Sequence, residues 1–192
     1  KQSPSTRHIL GISEELPPHL QRYLQEERKI DFSLAKHYLR SVCYEVDGRT
    51  YTAIGFPNRT GGYELRDDRH FKGTIAPKDI SVIGCVDGTK DIAHNILEGF
   101  IDFLSFFTMK GKETISPSIV LNSVSNLSRA IAYLHENGID SVRAFLDNDQ
   151  AGRQALQSLQ SAGIKVEDMS RHYGRYKDLN EYHISRQKVI EQ

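Results

Sequence analysis

Beyond residue 91 the chain alternates short apolar runs rich in strand formers with segments of helical period, and this alternation limits the fold more than any other feature. The apolar runs cover 92–97, 118–122, 142–146 and 164–166, and the helical segments between them cover 100–109, 127–136 and 151–161. Strand, helix and strand in repetition build a parallel sheet, because parallel neighbours need a crossover and a helix packed on the sheet face provides it. The second half is therefore predicted to be α/β. Ligand sites in such sheets lie at the carboxyl ends of the strands.

One of those strand ends is unusually acidic. In Val142-Arg143-Ala144-Phe145-Leu146-Asp147-Asn148-Asp149-Gln150-Ala151-Gly152-Arg153 an apolar strand runs into two carboxylates one residue apart, and a small-residue turn then opens a helix. Extended residues i and i+2 point the same way, roughly 7 Å apart, so Asp147 and Asp149 can present a hard, anionic oxygen site from one edge. Mg²⁺ suits such a site, since it takes one or two carboxylates and keeps waters that phosphates can replace. A structural role competes with this: Asp149 is also a plausible N-cap for the helix beginning near Ala151. A calcium loop is excluded, because Ala151 and Ser158 occupy the positions where an EF-hand needs an oxygen ligand and its final Glu. An aspartyl phosphatase would need further motifs, and too little sequence follows Asp149 to supply them.

A second strand end adds to the pair. The run 92–97 leads directly into Glu98-Gly99, with Asp102 one turn into the following helix. If these strands share one parallel sheet, Glu98 reaches the same edge as Asp147 and Asp149, and an acidic trio is assembled from separate parts of the chain. Further on, Asp178 followed by Glu181 has the spacing of a helix capping box.

The first half follows a different pattern. Pro17 and Pro18 precede a helical stretch with Leu20, Tyr23 and Leu24 on one side, and Asp31 is placed to cap a short helix from Phe32. Residues 42–46 and 50–54 flank Asp47-Gly48, a pair that tolerates the positive φ of a type I′ hairpin turn. Tyr63-Glu64-Leu65 predicts a third strand and residues 80–86 a further one, while Lys1 to Ser13 reads as a loose polar lead. Lys72 and Lys78 bracket Gly73 and Pro77 in a stretch that reads as an irregular loop able to close over a polyanion. These patterns predict an α+β subdomain with antiparallel hairpins over residues 1–90 and an α/β domain over 91–192.

Composition sets outer bounds. The 192 residues include 25 Lys and Arg against 25 Asp and Glu, so no overall field draws the chain to nucleic acid and any such binding must use local patches. Cys43 and Cys85 lie far apart without a CxxC pair, which excludes a self-contained zinc ribbon and a disulfide framework and points to a reducing cytoplasm. No run approaches the roughly 20 apolar residues of a membrane span, and no membrane partner is expected. The eight histidines show no metal-ligand spacing.

Three motifs together resemble a known family. Leu97-Glu98-Gly99-Phe100-Ile101-Asp102, then Phe145 to Arg153, then Lys177-Asp178-Leu179-Asn180-Glu181 are similar, in order and spacing, to the Toprim domain of bacterial DnaG-type DNA primases. Ala53-Ile54-Gly55-Phe56-Pro57-Asn58, Gly61-Gly62-Tyr63 and Phe71-Lys72-Gly73 are similar to the amino-terminal part of the primase catalytic core. The resemblance covers most of the chain and is strongest to the shorter primase-like proteins of mobile elements. It implies that Glu98, Asp147 and Asp149 bind catalytic Mg²⁺, with Mn²⁺ as a substitute, and that Lys177 and Asp178 belong to the family's late motif. It implies a single-stranded DNA template and nucleoside triphosphates as partners, with a helicase or mobile-element replication proteins as further partner classes.

The departures are specific. The zinc ribbon that opens full-length primases is absent, so zinc is expected only upstream of Lys1. The stretch Val120 to Ser125 lacks the glycine usual in the family's second-strand loop, and a helicase-binding carboxyl-terminal domain is not expected. The leading expectation is a primase core making RNA primers by Mg²⁺-dependent nucleotidyl transfer, with Lys72, Lys78 and Arg153 as candidate phosphate or template contacts. A Toprim-type nuclease using the same metal site and a catalytically inactive nucleic-acid-binding module are the alternatives. A Toprim topoisomerase would need a nucleophilic tyrosine on another module.

Overall fold

The computed structural model describes residues 6–84, 92–111 and 116–190, and its internal contacts separate two units, Lys1–Lys78 and Asp79–Gln192. The division falls before the expected one at residue 90, because the strand that follows Lys78 joins the second sheet.

The first unit is built on an antiparallel sheet of β1 (His8–Ser13), β2 (Arg40–Val46), β3 (Arg49–Pro57), β4 (Tyr63–Arg66) and β5 (Lys72–Ile75), in that spatial order. Strands β2 and β3 form the expected hairpin. Asp47 (φ 51°) and Gly48 (φ 71°) are its two turn residues and Val46 pairs with Arg49, which is the two-residue loop a type I′ turn makes. Two short helices, α1 (Pro18–Arg22) and α2 (Phe32–Ala35), lie between β1 and β2. Pro18 sits in the first turn of α1, and the Asp31 carboxylate accepts the Ser33 N–H at 2.9 Å to cap α2. The loop after β3 is organised by buried Asn58, whose side chain accepts the N–H groups of Thr60 and Gly62 and donates to the Pro77 carbonyl at 2.7 Å.

Three local readings of this half are corrected. Residues 8–13 form an edge strand, not a loose lead; its register shifts between Ile9 and Gly11, and that irregularity breaks the period of two by which a strand is recognised. Lys72 lies in β5, paired with Arg66 of β4, and not in an irregular loop. The strand expected over residues 80–86 is β6 (Ser81–Ile83), and it lies in the second sheet; Cys85, Val86, Asp87 and Gly88 fall outside the described residues.

The second unit is the predicted α/β domain. Its sheet comprises β6, β7 (His94–Leu97), β8 (Ser118–Val120), β9 (Ser141–Phe145) and β10 (Lys165–Asp168), in the order β10-β9-β7-β8-β6. All pairings are parallel except that of β6 with β8. Helices α3 (Phe100–Lys110), α4 (Leu127–Glu136) and α5 (Gln150–Ser161) connect the parallel strands, and α6 (Leu179–Ile190) closes the chain. One core combines Ile96, Ile119, Val142 and Ala144 of the sheet with Ala130 and Leu134 of α4 and Ala155 and Leu159 of α5. Those helical positions repeat at intervals of four, the spacing of a single buried stripe. Each fully buried large side chain here contributes roughly 1.5–3 kcal/mol.

Side chains alternate across a strand, so Phe145 points to the face opposite Ala144 and meets Phe106 of α3 with ring centroids 4.9 Å apart. Every residue of α3 from Phe100 to Phe106 is buried, the pattern of a helix enclosed on all sides. Asp102 and Ser105 are among them and bond to α6: the Asn180 N–H donates to Asp102 at 3.2 Å and the Asn180 amide to the Ser105 hydroxyl at 2.8 Å. No helix among the described residues is long and apolar enough to cross a membrane.

Candidate acidic site at the carboxyl edge of the parallel sheet

Strands β7 and β9 are parallel neighbours with Leu97 opposite Phe145, so the chain leaves both at the same level. Glu98 follows β7 directly, and its Oε2 accepts the backbone N–H of Asp147 at 3.2 Å. Two acidic residues 49 positions apart are thereby held at one sheet edge. Asp149 stands at the N-terminus of α5, where its Oδ1 accepts the Gly152 N–H at 2.9 Å. The capping role weighed for Asp149 is therefore real. It engages one oxygen of a carboxylate that has capacity for more.

Asn148, between the two aspartates, fixes the rest of the site. Its side-chain amide donates to the carbonyls of Tyr173 (3.0 Å) and Tyr176 (2.8 Å), and its backbone N–H donates to the Lys177 carbonyl at 2.7 Å. Three bonds from one residue draw the segment 173–177 onto the acidic turn. Beneath it, the buried Tyr173 hydroxyl donates to the Leu146 carbonyl at 3.0 Å. Asp178 then caps α6 by accepting the Glu181 N–H at 2.8 Å, and Glu181 returns to accept the Lys177 N–H at 2.9 Å. This is a capping box displaced by one residue, and it ties Lys177 to the first turn of α6.

The electrostatics show how crowded the edge is. Burial raises the Glu98 carboxyl, as do the charges of Asp149 and Asp178, while the Asp147 N–H and the Lys177 ammonium oppose the rise. Asp147 is pushed up to about 7, first by burial, then by the charges of Glu98 and Asp178, with Lys177 again opposing. Asp102 is held well above the carboxylate range by burial, reinforced by Asp178 and Asp147. A group of acids that resists ionisation is an arrangement a bound cation relieves.

The predicted residues thus divide by location. Glu98, Asp147, Asp149, Lys177 and Asp178 interact at one edge, and Arg153, exposed in the first turn of α5, reaches the Asn148 carbonyl at 3.5 Å. Lys72 and Lys78 belong to the other unit, where both are exposed. Asp102 and Asn148 have structural weight here that their place in the sequence motifs did not specify. Among the described residues no three His, Cys, Asp or Glu side chains close a cage around an ion by themselves. The donors available are all hard oxygens, which fits an ion that keeps several waters or substrate oxygens in its shell, as Mg²⁺ does.

Comparison with known proteins agrees with this division into two units. Residues 95–183 match the Toprim-like family model, and residues 9–76 match a domain of unknown function, DUF8464. No curated protein matches the chain. Among solved structures, the chain is similar to one in the structure of the bacteriophage T7 lagging-strand DNA polymerase interacting with the primase domains of two gp4 subunits bound to an RNA/DNA hybrid and dTTP. The identity is 18%, the match covers 86% of this chain and 87% of that one, and the TM-score is 0.55. At that identity the likeness is one of fold.

Proposed function

We propose that the chain is the catalytic core of a Mg²⁺-dependent DNA primase that joins ribonucleotides on a single-stranded DNA template in the reducing cytoplasm. The observation that carries this reading is the hydrogen bond from the Asp147 backbone N–H to Glu98, which brings a carboxylate from the end of one strand to the backbone of a second acidic residue at the end of its neighbour, at the carboxyl edge of a Toprim-like sheet. The T7 complex contains an RNA/DNA hybrid and dTTP, the ligand classes this reading expects.

In this reading Glu98 and Asp147 would hold the metal, with Asp149 near it at the same edge and waters or substrate oxygens completing the shell. A bound Mg²⁺, or Mn²⁺ in its place, would supply charge neutralisation to the nucleotide phosphates. The chain's own residues do the positioning. Asn148 keeps the 173–177 segment against the acidic turn, and Lys177 limits the repulsion among the carboxylates. Asp178 fixes the start of α6. Lys177 and Arg153 would meet triphosphate oxygens, and Lys72 and Lys78 would contact the template backbone.

The test is incubation of the protein with single-stranded DNA, ribonucleoside triphosphates and Mg²⁺. Short RNA chains that require all three are the expected product. Shortening of a labelled strand without nucleotides would replace this reading with a nuclease. Absence of both reactions across templates and both metals would leave a binding module.

A further inference from the structure

We propose that one face of the first unit's sheet carries a pocket for a single unpaired nucleobase, with Tyr44, Tyr51 and Phe71 as its stacking surface and Arg7 and Arg69 at its rim. A cavity of about 300 Å³ lies there, lined by these five residues with Val46 and Asp67. That is the low end of ligand-binding clefts and suits one flat ring system.

The walls are aromatic and nearly parallel. Tyr44 and Tyr51 face each other across β2 and β3, with ring centroids 5.7 Å apart and planes 25° apart; Tyr44 and Phe71 are 6.5 Å apart at 22°. Tyr44 belongs to the buried cluster with Val42 and Leu65, whereas Tyr51 and Phe71 are only half-buried against it. Aromatic rings on a sheet face are the platform on which single-stranded nucleic acids stack their bases.

The rim is built rather than incidental. Asp67, 6% exposed, accepts the N–H groups of Arg69 (2.8 Å) and Phe71 (2.9 Å), and its other oxygen lies 3.4 Å from Arg69 Nε. One carboxylate thus sets the turn that presents both residues. The far end of the Phe71 ring then lies against Gly73, where a Cβ would collide with it. The Arg7 guanidinium sits 5.4 Å from the Phe71 ring centroid and hydrogen-bonds the Tyr44 side chain, and among the described residues its solvent-shielded Nε has no further partner.

The charges decide between occupants. An aromatic cage can also hold an organic cation, but here two guanidinium groups flank the rings, and Asp67, the carboxylate among the described lining residues, is already engaged by Arg69. A base attached to phosphate satisfies both features: its ring stacks, and its phosphates meet the arginines. That the base comes from a strand rests on the reading of the chain as a primase core; the pocket's chemistry does not.

The experiment is a binding titration with a short fluorescent single-stranded oligonucleotide in EDTA without other nucleotides, so that the acidic edge takes no part. An oligonucleotide carrying one 2-aminopurine should show quenching on binding, and an otherwise identical strand made abasic throughout should bind roughly tenfold more weakly. Tyr51→Ala should bring the intact strand down to the abasic level, Tyr51→Leu should do the same while keeping apolar volume, and Tyr51→Phe should bind within about twofold of wild type. Displacement by ATP would identify a free nucleotide as a source of the base, and failure to displace would identify the strand. Equal binding of intact and abasic strands, or wild-type binding by a folded Tyr51→Leu protein, overturns the proposal. Either result leaves the metal-dependent reaction to be judged on its own test.

Discussion

Asp147→Asn is expected to lower primer synthesis by roughly a hundredfold or more, the scale on which one electrostatic contact to a transition state acts. Asparagine keeps the shape and the backbone N–H that donates to Glu98, so the change removes charge from the edge without dismantling it. Its effect on stability should have the opposite sign. The Asp147 carboxyl is raised to about 7, so between its ordinary range near 4 and that value the folded chain binds a proton that the unfolded chain does not. Stability from this group is therefore present at low pH and lost as pH rises through about 7. Metal-free wild type should be more stable at pH 5 than at pH 8, with Glu98 and Asp102 adding to the slope because both are raised too. Asp147→Asn should flatten that dependence and exceed wild type in stability at pH 8. Thermal denaturation in EDTA across this range, set beside primer synthesis, checks both signs. A variant with wild-type activity, or an unchanged pH slope, contradicts the role given to Asp147.

Gly152→Ala should destabilise the second unit by about 1–3 kcal/mol, the cost of forcing a methyl group into a packed site, and should reduce activity with it. Gly152 lies in the first turn of α5 against the backbone of the acidic loop. A Cβ there would collide with the Asp147 carbonyl oxygen and lie 3.0 and 3.1 Å from that residue's carbonyl carbon and nitrogen. Neither side can yield easily, because one is a helical turn and the other is pinned by the three hydrogen bonds of Asn148. Gln154→Ala, at an exposed position of the same helix, should stay within about 0.5 kcal/mol of wild type. Urea denaturation of the two variants separates the outcomes. Equal stability would mean that the approach of α5 to the acidic loop is looser than its geometry indicates.

Much of this architecture was legible in the sequence because it rests on local patterns. Strands β7 to β10 and helices α3 to α5 follow from the alternation of apolar runs with helical segments, the start of α6 from its capping-box spacing, and the Asp47-Gly48 hairpin from the φ values that its turn demands. The meeting of Glu98 with Asp147 needed one further step, the inference that their strands share a parallel sheet. What the sequence concealed depends on pairing between distant segments. The strand β1 has a register shift that breaks its alternation, and β6 reads the same whether it joins one sheet or the other. The work of Asn148 and Asp102 was hidden for the same reason. Their partners lie 25 to 78 residues away, and no spacing rule reports such a bond. The cap made by Asp149 was visible as an alternative, and the structure shows that a helix-capping role and a place in the acidic site can reside in one side chain.

The account turns on whether Glu98 and Asp147 together hold a divalent cation. Calorimetric titration of Mn²⁺ into the wild-type protein, Glu98→Gln, Asp147→Asn and the double variant tests this directly. Saturable binding in wild type, weakened at least about tenfold in each single variant and absent in the double, is the predicted result. Heats that are the same in wild type and the double variant would contradict it.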